Sequence, residues 1–157
     1  MVKPVLQALV LAEHVYEDKS GKKIIAGTFN RLKFTRKPIH QTVDLPDGTK
    51  VTRIPGGMHG GSPFAYMSLT DVGNQTKLLL QFVNLTKNEV LFGKTIVLDC
   101  NDRLATAELV FGLPLLPIEE AGTYAFEVVC EGEILGSCRI QAEELDFKSE
   151  DKNDEHS

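Results

Sequence analysis

The chain has 157 residues, 42% of them hydrophobic and 25% charged, with 17 Lys and Arg against 22 Asp and Glu for a formal net charge of -5. This is the balance of an ordinary globular protein, and it excludes a chain disordered throughout, a collagen-like repeat and a coiled coil. The length suits one domain able to bury a sizeable core without covalent staples.

The N-terminal stretch from Val5 to Tyr16 is mostly apolar, but Gln7 interrupts it and Glu13 and His14 close it, so it is read as a first strand rather than a targeting segment. Turn chemistry at Glu17, Asp18, Ser20 and Gly21 then leads into a second β-prone run, Lys23 to Phe34, which completes a hairpin. Arg31, Lys33, Arg36 and Lys37 form a basic stretch, read as a solvated strand face, and the acidic overall sign argues against nucleic acid as a partner. Pro38, Pro46 and Pro55 break up the next segment, where Asp47-Gly48 predicts a tight turn between short extended pieces at Ile39 to Leu45 and Thr49 to Ile54. Four glycines then fall within residues 56–61, and with so little to restrict the backbone that segment is expected to be a loop.

Three more strands are predicted at Phe64 to Val72, Thr76 to Leu85 and Val90 to Cys100, each rich in Leu, Val, Ile, Phe and Thr. From Arg103 to Phe111 the chain alternates, with Ala105, Ala107, Leu109 and Phe111 on one face and Glu108 directed to solvent. Leu113-Pro114 and Leu116-Pro117 make an extended connection. The clearest signal comes last: Gly122 to Cys130, a turn at Glu131-Gly132-Glu133, and Ile134 to Ala142, with Tyr124, Phe126, Val128, Cys130, Ile134, Gly136, Cys138 and Ile140 assigned to one buried face. Helical periodicity is nowhere convincing, no apolar run reaches the ~20 residues of a membrane-spanning helix, and no membrane contact is expected. About eight to nine strands at spacings near ten residues over residues 1–143 suggest an all-β antiparallel sandwich or barrel. Residues 144–157, acidic and nearly devoid of core formers, are expected to be a disordered tail.

Glu120, Gly122, Tyr124 and Phe126 resemble the tyrosine corner of immunoglobulin-like domains, in which a Tyr at the start of a late strand sends its hydroxyl back to upstream backbone. Phe126 stands where antibody domains carry a cysteine and the chain has no tryptophan, so the antibody type itself is excluded, and the resemblance implies an all-β, immunoglobulin-like antiparallel sandwich of about eight to nine strands as the expected fold. The order of Leu9 to Val15, Gly27-Thr28-Phe29 and Gly122-Thr123-Tyr124 with Glu131-Gly132 is similar to that of a family of small uncharacterised bacterial proteins. That resemblance implies a bacterial host and the sandwich fold, and it implies no activity.

Chemistry-bearing residues are scattered. Cys100, Cys130 and Cys138 leave one thiol unpaired under any scheme, which points to a reducing cytoplasm, and the hairpin places Cys138 opposite a residue near Ala125, too far from Cys130 to bridge. His14, His40, His59 and His156 show no metal-ligand spacing, and no cofactor motif is present. A Cys100–histidine pair would need its partners to meet in space, and the negative charge of Asp99 and Asp102 beside the thiol would work against the thiolate that a nucleophile needs. Asp44 and Asp47 in one loop with Asp99 and Asp102 in another could hold calcium as C2-like domains do, although Asp and Asn favour turns without any ion. The remaining candidate is the glycine-rich segment, Gly56, Gly57, Met58, His59, Gly60 and Gly61 with Phe64 and Tyr66 beyond it, which offers soft and aromatic contacts on a rigid scaffold. The expected function is that of a non-enzymatic cytoplasmic module binding another protein, with self-association open; calcium or small-ligand binding and an enzyme of unknown class are the alternatives.

Overall fold

The computed structural model describes residues 3–34, 41–44, 46–48, 50–53 and 62–145, with backbone only at 41–44 and 50–53. Eleven strands follow one another with no helix among the described residues: β1 Val5–Glu17, β2 Lys23–Thr28, β3 Arg31–Phe34, β4 Gln41–Asp44, β5 Lys50–Arg53, β6 Phe64–Thr70, β7 Thr76–Asn84, β8 Glu89–Leu98, β9 Ala107–Gly112, β10 Gly122–Cys130 and β11 Glu133–Glu144. Nine of them build a β-sandwich, a four-stranded sheet in the order β2-β1-β6-β9 against a five-stranded sheet in the order β3-β11-β10-β7-β8, while β4 and β5 pair with each other. All pairings are antiparallel except β3 with β11.

The core lies between the sheets because each strand sends alternate residues inward. Leu11, Met67 and Leu69 from one sheet meet Leu78, Leu80, Phe82, Tyr124, Phe126, Val128 and Ile140 from the other, all at 4% exposure or less. Each such side chain contributes roughly 1.5–3 kcal/mol by leaving water. The sheets approach most closely where β1 crosses β11: a Cβ added at Gly136 would sit 2.5 Å from Leu6 Cδ2. Beside it the Cys138 thiol donates to the Leu9 carbonyl at 3.1 Å, a hydrogen bond from one sheet to the other.

Four features differ from the alternation read in the sequence. The run from Lys23 to Phe34 is two strands: after Thr28 the chain leaves the four-stranded sheet and re-enters at Arg31 beside β11, where Gln141 N–H donates to Asn30 C=O at 2.8 Å. Strand β10 buries both faces, since it is flanked by β7 and β11 and even Ala125, Glu127 and Val129 are 9% exposed or less. A bulge between Val128 and Val129 leaves Ile134 opposite Val129, on the outer face and 57% exposed, while Leu135 packs against the core. The proline-rich connection after β9 is also more than a linker: Leu116 and Ile118 are fully buried and plug the end of the sandwich.

Candidate interaction face

Strand pairing fixes which side chains share the outer surface of the four-stranded sheet. Ala12 lies opposite Thr28 and Phe64, His14 opposite Ala26, Tyr16 opposite Ile24, and Val10 opposite Tyr66, which continues to Val110 on β9. This surface therefore carries Val10, His14 and Tyr16 from β1, with Ala12 fully buried among its neighbours, Ile24 and Ala26 from β2, Phe64 and Tyr66 from β6, and Val110 from β9. A sheet face that meets water is normally polar where the opposite face is apolar. Here much of the outer face is apolar as well; Thr28, Ser68 and Thr70 are polar positions on it, and among the described residues Glu108 is the one carboxylate at these outer positions and no Lys or Arg shares them.

Local contacts fix the aromatic groups in place. His14 and Tyr16, two apart on β1, stack with ring centroids 5.7 Å apart. The Phe64 ring lies over Gly112, where an added Cβ would stand 3.5 Å from Phe64 Cε1. The Tyr66 hydroxyl donates to Glu108 Oε2, and that carboxylate acceptor, followed by burial, holds the phenol above its usual pKa. Tyr16 at 53%, Ile24 at 50% and Val110 at 37% exposure leave their hydrocarbon in water.

Of the predicted site residues, Phe64 and Tyr66 stand on this face, as parts of strand β6, within the strand predicted at Phe64 to Val72. Gly56, Gly57, Met58, His59, Gly60 and Gly61 lie outside the described residues, as do His40 and His156. The segment that follows the glycines is firmly attached: Ser62 Oγ donates to the Leu113 carbonyl, and Leu113 N–H donates to Pro63 C=O at 2.8 Å. There a hollow of about 270 Å³ is lined by Glu13, His14, Phe29, Arg31, Leu32, Ser62 and Pro63.

The aspartates expected at a calcium site have other partners. Asp99 Oδ1 accepts from Gln75 N–H at 2.8 Å and from Gln75 Nε2 at 2.9 Å, and Asp102 Oδ1 accepts from Leu104 N–H at 2.9 Å. Asp47 is exposed in the β4–β5 turn, and the Asp44 side chain lies outside the description. Among the described residues no group of three or more His, Cys, Asp and Glu is placed to hold a metal ion. All three cysteines are free thiols; burial raises the pKa of Cys130 and of Cys138, and the Cys100 thiol donates to the Asp102 carbonyl at 3.1 Å. No described helix is long and apolar enough to cross a membrane.

Sequence reasoning missed Val10, Ala12, His14, Tyr16, Ile24 and Val110 as members of one surface. The signal was available in β1, where the run Leu9-Val10-Leu11-Ala12 does not alternate and so marks a strand apolar on both faces. The chain matches no family model and no curated protein.

Proposed function

We propose that this chain is a non-enzymatic, immunoglobulin-like module that binds another protein through the outer face of its four-stranded sheet. The observation that carries this is the composition of that face, on which Tyr16, Ile24, Phe64, Tyr66 and Val110 share a surface that lacks Lys and Arg among the described residues. Contiguous exposed apolar surface on a folded domain marks interaction sites, and aromatic anchors supply most of the energy of such contacts. The Tyr124 hydroxyl, donating to the Glu120 carbonyl at 2.9 Å, supports the immunoglobulin-like assignment. Three free thiols support a reducing compartment, the cytoplasm.

A photo-crosslinking phenylalanine analogue placed at Tyr16 or Val110, and separately at Arg139 on the outer face of the other sheet, tests the interface in the host cell. The expected result is one discrete adduct from Tyr16 and from Val110, absent from Arg139 and lost when Ile24→Lys is added. No adduct, or the same adduct from Arg139, overturns the assignment; an adduct of the chain with itself gives the face to self-association instead.

A further inference from the structure

The sandwich has a second distinctive surface, on the side where both sheets end. Strand β8 is the edge of the five-stranded sheet and β9 the edge of the four-stranded one. The sheets do not close on each other there, and the gap is a cleft of about 390 Å³ lined by Leu80, Phe92, Lys94, Phe111, Leu113 and Pro114, with Gly93 and Gly112 completing it. That volume lies within the range of small-molecule sites, roughly 300–1,000 Å³.

The walls of the cleft are preorganised. Phe92 ends a stack of rings that starts in the core: Tyr124 lies on Phe82 with centroids 5.6 Å apart, and Phe82 lies on Phe92 at 5.5 Å. Leu113 is held by its backbone to Pro63, and Pro114 has a ring-fixed φ. Lys94 provides the polar contrast. It pairs with Leu80, a core residue at 4% exposure, so its side chain leaves β8 on the same face as Phe92, while at this sheet edge the residue stays exposed to solvent. Among the described residues no carboxylate forms an ion pair with it. An apolar cleft with one unpaired ammonium complements a hydrocarbon body that ends in a single negative charge.

We propose that the cleft between β8 and β9 binds a small apolar carboxylate, its aryl or alkyl body between Phe92, Phe111 and Leu113 and its carboxylate at Lys94 Nζ. This site is separate from the interaction face, and the two succeed or fail independently. A lysine on an edge strand also discourages edge-to-edge pairing with another chain. The two roles separate by experiment, because guarding an edge requires only the charge in the free protein, whereas the site requires discrimination between ligands.

The test uses the full chain and a matched pair of probes, 2-naphthoate and 2-naphthylmethanol, titrated while the methyl resonances of Leu80 and Leu113 are followed. The acid is expected to bind more tightly than the alcohol and to shift both methyls. Lys94→Met should weaken the acid ~fivefold, the factor of a partly exposed ion pair, and leave the alcohol within about twofold. Lys94→Arg should keep the preference for the acid. The proposal is overturned if neither probe shifts these methyls at millimolar concentration, if the wild type fails to prefer the acid, or if Lys94→Met retains the preference. Comparing the melting temperatures of the variants ensures that all three proteins are folded.

Discussion

The buried polar groups around Tyr124 show how individual residues hold this fold. The tyrosine is 1% exposed, and its hydroxyl has a partner because the chain turns back at Glu120. Opposite it on β7, buried Asn84 donates through Nδ2 to Glu120 Oε1 at 2.9 Å, and Lys87 Nζ lies 3.2 Å from the same oxygen. Tyr124→Phe removes one hydrogen bond from this group and should lower the unfolding free energy by ~1 kcal/mol in urea, with the far-UV spectrum unchanged. Burial first, and the Glu120 carboxylate with it, raises the Tyr124 phenol above its ordinary value of 10.0, and Tyr66 is raised as well. A phenol whose folded-state pKa exceeds its unfolded value favours the folded state as long as it keeps its proton, and that contribution is lost as pH climbs through the folded value. Stability should therefore fall in the alkaline range above 10.0, and a urea series across that range should show a smaller fall in Tyr124→Phe. The spacing of Glu120, Gly122 and Tyr124 made this corner legible in the sequence. Gly136 was not legible as a contact point, because only the assembled sheets bring Leu6 onto it. Gly136→Val should cost ~1–3 kcal/mol by overpacking, and Leu6→Ala in the same chain should recover part of the loss.

Among the elements, the β10–β11 hairpin shows what alternation can and cannot deliver. Its turn was readable from composition: Glu131 and Gly132 take φ of 49° and 79°, a left-handed pair in which Gly is at ease. The facing residues followed as far as Val128, opposite Gly136. Beyond that the bulge shifts β11 alone, turning Ile134 outward and Leu135 inward while Cys130 stays in the core as alternation predicts, and no residue type in the sequence marks it. Ile134→Thr should change stability by less than ~0.5 kcal/mol, whereas Leu135→Ala should cost ~2 kcal/mol or more, the reverse of what strict alternation predicts; chemical denaturation of both variants decides it. The face of the four-stranded sheet was half legible. Phe64 and Tyr66 stood out as aromatic, but their companions on β1, β2 and β9 became neighbours only through pairing across sequence separations that local patterns do not encode.

Across the whole molecule, strand spacing made an all-β sandwich or barrel of about eight to nine strands readable, and the structure is the sandwich, with nine strands in its two sheets. Where the chain passes between sheets was not readable, and those passages set the mechanics. Cys138 lies within one such contact, its thiol bonded across to β1, and Cys130 is buried at the end of β10. With burial raising both thiols, each should resist alkylation in the native protein and react at the rate of unfolding, which mass spectrometry of timed iodoacetamide reactions measures. On one side of the molecule the crossing from β2 to β3 takes only Phe29 and Asn30, so the two sheets are stitched together tightly. On the other side β8 reaches β9 through residues 99–106, a longer and more exposed span. Such a molecule should breathe like a book bound along one spine. Amide protons of β8 and β9 should exchange with deuterium well before those of β1, β10 and β11, and the cleft at Lys94 would lie between the opening pages.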